Sequence, residues 1–174
     1  MQRVRVALAI FCFAAWGGAA AAQAQWSQYR YPDVGFAVQF PGAPKISSTP
    51  LAGTTPATHH QYQAEAAGKV YRISAIAFAN GRGPENPDLV YLDRLVAAYA
   101  VGSKTTLRSQ NPITIAGHPA LEAVTEDVAH DRYHLLDVLA AGPHVYLVIS
   151  EGPKGHETST DAKRFRDSFT LIGP

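Results

Sequence analysis

The sequence predicts an α+β fold, with an antiparallel sheet of about six strands flanked by two main helices. Three observations predict it. Runs of β-branched and aromatic residues come in pairs joined by short Gly-containing turns, at 59–79 and 133–150, the pattern of antiparallel hairpins. Two other stretches, 87–102 and 159–168, place their apolar residues three or four apart, the pattern of helices with one buried face. No repeat, heptad or composition break divides residues 25–174, which read as one domain with helices laid on a sheet.

Residues 1–24 read as a secretory signal peptide. Arg3 and Arg5 precede the apolar run VALAIFCFAAW, and Gly17, Gly18 and an alanine tract follow it. Ala22-Gln23-Ala24 is a small-x-small cleavage site, so the mature chain begins at Gln25, or at Gln23 if cleavage follows Ala22. Residues 6–22 reach only the lower limit of a spanning helix and contain two glycines, which argues against an uncleaved anchor. The expected location is periplasmic or secreted, with no stable membrane insertion after cleavage.

The mature chain opens with WSQYRYPDVGFAVQFPGAP. Phe36, Val38 and Phe40 alternate with Ala37 and Gln39, as in a strand buried on one face. Pro32, Asp33 and Gly35 form a turn before it, and Pro41, Gly42 and Pro44 stop it. Residues 45–58 are polar, rich in Pro, Thr and Gly, and read as a loop. The hairpin 59–66 and 70–79 turns at Ala67-Gly68-Lys69. Its second arm puts Tyr71, Ile73, Ala75 and Ala77 on one face and Val70, Arg72, Ser74, Ile76 and Phe78 on the other.

After the loop NGRGPEN, Asn86 can cap a helix with Pro87 at its first position and Asp88 in its first turn. Leu89, Leu92, Val96 and Tyr99 form the buried stripe, and Gly102 ends it. Short strands follow at 105–110 and 113–115, split by Asn111-Pro112. A turn at 116–119 leads to a strand at 120–127. The hairpin 133–140 and 144–150, around Ala141-Gly142-Pro143, is the most apolar part of the mature chain and belongs at the centre of the sheet. Residues 151–156 are a loop. Thr158 or Ser159 caps a last helix that buries Ala162 and Phe165, and 169–172 can add a terminal strand.

The pattern Trp26, Tyr29, Tyr31-Pro32, Gly35-Phe36-x-Val38-x-Phe40-Pro41-x-x-Pro44 resembles the opening of small exported bacterial proteins of the PsbP-like type. Ile115-x-Gly117-His118-Pro119-Ala120 is similar to the turn into a strand midway through such chains, and Phe165 with Ser168-Phe169 to their closing helix and strand. The resemblance spans essentially the whole mature chain. It implies an antiparallel sheet sandwiched by helices, and a binding module rather than an enzyme. It carries over no catalytic residue, and a shared fold does not license a function.

Composition excludes several chemistries. Without Arg3 and Arg5, the 15 basic residues fall to near balance with the 14 acidic ones, and no basic block is present to displace counterions from nucleic acid. Cys12, the one cysteine, lies in the signal, so the mature chain has no thiol nucleophile, disulfide or cysteine metal site. No Gly-x-Ser-x-Gly elbow occurs. Gly152-Pro153-Lys154-Gly155 lacks the spacing and the Lys-Ser/Thr ending of a phosphate loop.

The seven histidines are the strongest chemical lead. His130 and His134 lie four apart and are flanked by Asp127, Asp131 and Asp137. Imidazole is the commonest metal ligand and needs no thiol beside it. Along one strand the two rings would stand about 13 Å apart, so a shared ion requires a bend at the turn. Glu122, Glu126, Asp127 and Asp131 offer oxygens without the glycine pivot of a calcium loop. Trp26, Tyr29, Tyr31 and Phe36 either plug the open edge of the sheet or meet a partner. The expectation is a non-catalytic binding or assembly module for an envelope protein, with no cofactor. The alternative is a divalent-metal binder built on His130 and His134.

Overall fold

The computed structural model describes residues 25–52, 55–85 and 87–173. The expected signal segment with its expected cleavage sites, and Asn86, lie outside the described residues.

Among the described residues, ten strands and two α-helices form three layers. The strands are β1 (Ser27–Tyr31), β2 (Phe36–Phe40), β3 (Lys45–Leu51), β4 (Ala57–Ala66), β5 (Lys69–Phe78), β6 (Thr106–Ile115), β7 (His118–Asp127), β8 (Arg132–Ala141), β9 (His144–Pro153) and β10 (Thr170–Leu171). The helices are α1 (Leu89–Ser103) and α2 (Thr160–Asp167). One antiparallel sheet has seven strands in the order β3-β4-β5-β9-β8-β7-β6; a second has three, β1-β2-β10.

The apolar hairpin does take the centre: β9 is the middle strand of the large sheet and β8 lies beside it. Its alternation supplies both cores. Leu139, Tyr146 and Val148 pack with β2, Tyr71, Ile73, Phe165 and Phe169 on one side. Leu136, Val138, Val145 and Ile149 pack under Leu92 and Val96 of α1 on the other. The hairpin turns follow their sequence. Ala67-Gly68 and Ala116-Gly117 both place two successive residues at positive φ, the conformation whose twist matches flanking strands and which glycine accepts without strain.

Four expectations are corrected. The sheet of about six strands is a sheet of seven plus a separate sheet of three. The opening is a hairpin, β1 with β2, and the terminal strand β10 joins it through β2. Within 45–58 lies β3, paired with β4 from Lys45↔Gln63 to Leu51↔Ala57. It is exposed throughout, so no hydrophobic alternation marks it, and Pro50 is tolerated because the strand is an edge. Residues 106–115 are one strand: β6 is the other edge, where Pro112 need not break the ladder.

Helix α1 starts and ends later than its sequence suggests. Asp88 is the cap, its carboxylate accepting from the Tyr91 N–H at 2.8 Å. Gly102 lies inside the helix, and Lys104 takes the left-handed closing position. Helix α2 is capped by Ser159, whose hydroxyl accepts from the Ala162 N–H.

Candidate functional site

Strand β8 aims its side chains alternately at the two faces of the large sheet. His134 therefore points under α1, and Asp137 points to the side of α2. The two groups organise separate polar clusters.

On the α1 side, His134 is buried and its Nδ1 lies 2.7 Å from the Tyr99 hydroxyl. Its Nε2 is 3.9 Å from Glu151 Oε2. Burial holds the His134 pKa below its ordinary value, although Glu151 opposes this. The contribution of the neutral ring to stability is present above the unfolded value and is lost as pH falls through the folded one. Tyr99→Phe should leave the ring nitrogen unpaired and cost about 1–2 kcal/mol in urea unfolding. A change of a few tenths would show that the bond contributes nothing.

Glu151 continues the cluster onto the open part of this face. It accepts from Arg132 Nε at 2.6 Å and lies 3.7 Å from Arg72 Nη2. Arg72 Nε donates to Gln63 Oε1 at 3.1 Å, and Gln63 donates to Glu65 at 3.0 Å. The register explains the row: Gln63 pairs with Arg72, and Glu151 with His134, so these side chains share one face. Helix α1 lies over β6, β7 and β8, whereas Gln61, Gln63 and Arg72 stay half-exposed and all of β3 is exposed.

The histidine pair is not brought together. His130 stands exposed in the β7–β8 turn, its Nδ1 2.6 Å from Asp127 Oδ2, while His134 is held under α1. The turn folds His130 back on Asp127 instead of toward the strand. His59 bonds Ser74 at 2.6 Å, His60 bonds Ser48 at 2.8 Å, and His156 bonds Ser159 at 3.0 Å. The carboxylates disperse likewise: Glu122 pairs with Arg166, Glu126 with Arg108, and Asp127 accepts from Ala129 N–H. Among the described residues, no group of three or more His, Cys, Asp or Glu is placed to hold a metal ion. In the 152–155 stretch, Glu157 occupies the Gly155 N–H at 2.8 Å, so that amide does not face an anion.

Of the opening aromatics Phe36 is buried, and Trp26, Tyr29 and Tyr31 are half-buried against the same core. Trp26 meets Tyr71 edge-on at 5.1 Å with the Arg164 guanidinium over its ring, and Tyr31 packs on Tyr62 at 4.2 Å. They bind the small sheet to the large one.

The cluster around Asp137 was invisible to motif reading. Asp137 is 1% exposed, and neither carboxylate oxygen has a hydrogen-bond partner. Arg166 Nε is 3.9 Å from Oδ2, beyond hydrogen-bond reach. Burial pushes the Asp137 pKa up to about 7, with Glu122 and Asp167 adding to the rise and Arg166 opposing it. A cavity of about 350 Å³ opens here, lined by Ile113, Thr114, Ile115, Glu122, Asp137, Arg166, Asp167 and Phe169. The available signal was a lone carboxylate inside the apolar run LLDVLAA.

No family model matches the chain, and no curated protein does. Among solved structures it is similar to cyanobacterial PsbP (CyanoP) from Synechocystis sp. PCC 6803, with a TM-score of 0.55 at 11% identity over 88% of this chain and 96% of that one. The fold is PsbP-like. A Pseudomonas aeruginosa protein of unknown function aligns with a TM-score of 0.40 at 14% identity, over 79% of this chain and 90% of that one. Both polar clusters are described from this chain's own residues.

Proposed function

We propose that the mature chain is an exported, non-catalytic binding module that takes up an extended segment of an envelope protein along β3. One observation carries this reading: all seven residues of β3 are exposed, yet the segment is an ordered strand. Ordering a residue costs about 1–2 kcal/mol of backbone entropy, and β3 buries no side chain in return. Among the described residues no strand lies beside its outer backbone groups, and Ile46, 57% exposed, stands on it. An added strand would satisfy those groups and cover Ile46. The neighbouring row of Gln61, Gln63 and Arg72 offers side-chain recognition that is already ordered by its own hydrogen bonds.

The export signal supports the envelope setting, and periplasmic protein beginning at Gln25 or Gln23 is the expected product. A photo-crosslinking residue at Thr49 should give one discrete adduct in intact cells, and the same residue at exposed Lys163 on α2 should not. Ile46→Asp should remove the Thr49 adduct. Identical patterns from both positions, or an adduct indifferent to Ile46→Asp, would exclude β3 as the docking edge. No observation in the structure favours the metal-binding alternative over this reading.

A further inference from the structure

The cavity on the α2 side is separate from β3, and its chemistry is unlike that of a packing defect. Three carboxylates, Asp137, Glu122 and Asp167, face one guanidinium, that of Arg166. Arg166 is committed elsewhere: Nη1 pairs with Glu122, and Nε donates to Asp167 at 3.2 Å. Asp137 is left fully buried with both oxygens unpartnered. A buried carboxylate without a donor is costly, and a ligand that supplies a charged donor removes that cost. An anion would meet excess negative charge, and a neutral ligand would leave it unpaired. The other walls are Ile113, Ile115 and Phe169, which suit methylenes.

We propose that this cavity binds a primary alkylammonium group, its –NH3+ donating to Asp137 and Glu122 and its alkyl stem lying on Ile113, Ile115 and Phe169. An ammonium brings three donors on a narrow stem, which a space of about 350 Å³ admits. The charged groups facing Asp137 are Glu122 from β7 and Arg166 and Asp167 from α2; β6 offers Ile113 and Ile115, and β9 offers Val148, none of them charged. The ionised carboxylate is the binding form. With its pKa near neutrality, a proton and the ammonium compete for the same oxygens.

The test is calorimetric titration of the protein in amine-free buffers of different ionisation enthalpy. One arm uses 1,5-diaminopentane, and the other an N-acetylated, C-amidated peptide with a single lysine. The site predicts one-to-one binding, proton release on binding, and affinity about tenfold weaker at pH 6 than at pH 8, following the ionised fraction of Asp137. Binding of the diamine alone identifies a free amine, and binding of the peptide a lysyl side chain. Asp137→Asn should abolish binding. So should Ile115→Trp, whose side chain lies on the cavity face of β6, which narrows the cavity and leaves Asp137 in place. Binding of neither probe, binding retained in folded Asp137→Asn, or affinity indifferent to pH would overturn the assignment.

Discussion

Asp137→Asn should make the folded protein more stable at pH 8, by about 4 kcal/mol, and hardly more stable at pH 4. Below about pH 3 the carboxyl holds its proton in both the folded and the unfolded chain. As pH rises the unfolded chain releases that proton first, near the ordinary carboxylate value of 3.8, whereas the folded chain keeps it until about 7. Over that interval the folded state binds the extra proton, so stability falls with rising pH and levels off above 7. Asparagine cannot ionise, and its variant should lack this descent. A side chain 1% exposed is little screened by solvent, so the effect should survive moderate salt. Paired urea unfolding curves from pH 4 to 8, in amine-free buffer, measure it. A difference that stays flat across this range would mean that Arg166 already neutralises Asp137 at every pH.

Phe36→Ala should remove about 3–5 kcal/mol, a large part of the 5–15 kcal/mol that holds a domain of this kind together. Phe36 has no exposed surface. Its ring meets Tyr31 at 5.0 Å, Tyr62 at 5.1 Å, Phe169 at 5.8 Å and Tyr146 at 6.1 Å. Those partners come from β1, β4, the residue before β10, and β9, so one deletion loosens the small sheet from the large. Tyr146 cannot close the gap, because its hydroxyl is tied to the Val34 carbonyl at 2.7 Å. Amide exchange should therefore quicken in β1 and β2 more than in β7 and β8. A loss below about 1 kcal/mol, or uniform exchange across both sheets, would show that the small sheet is not held by this ring.

Elements with local signals were legible from the residues. The β8–β9 hairpin declared its turn at Gly142 and its central place by apolarity. The Ser159 cap and the spacing of Ala162 and Phe165 declared α2. The faces of β5 followed from alternation alone: Tyr71, Ile73 and Ala75 lie in one core, while Ile76 and Phe78 pack against the other. The edge strands were legible only in part: β6 read as two short pieces and β3 as a loop. Strand β3 buries nothing, and β6 carries Asn111-Pro112, so their only common property is a backbone ladder to a neighbour that local sequence cannot name.

The chemical groups divide in the same way. His130 and His134 are neighbours in sequence and share no site, because a turn lies between them and each finds a nearer partner, Asp127 for one and Tyr99 for the other. Tyr99 and His134, or Asp137 and Arg166, are far apart in sequence, and only the packing of α1 and α2 on the sheet unites them. By itself the sequence determined what residue-to-residue periodicity can encode: strand and helix types, most turns, and an α+β layering. The tertiary structure alone decided the separate small sheet, the free edge of β3 and the unpartnered carboxylate of Asp137. Each depends on which distant surfaces meet, and burial and pairing are properties of that meeting rather than of any local stretch of chain.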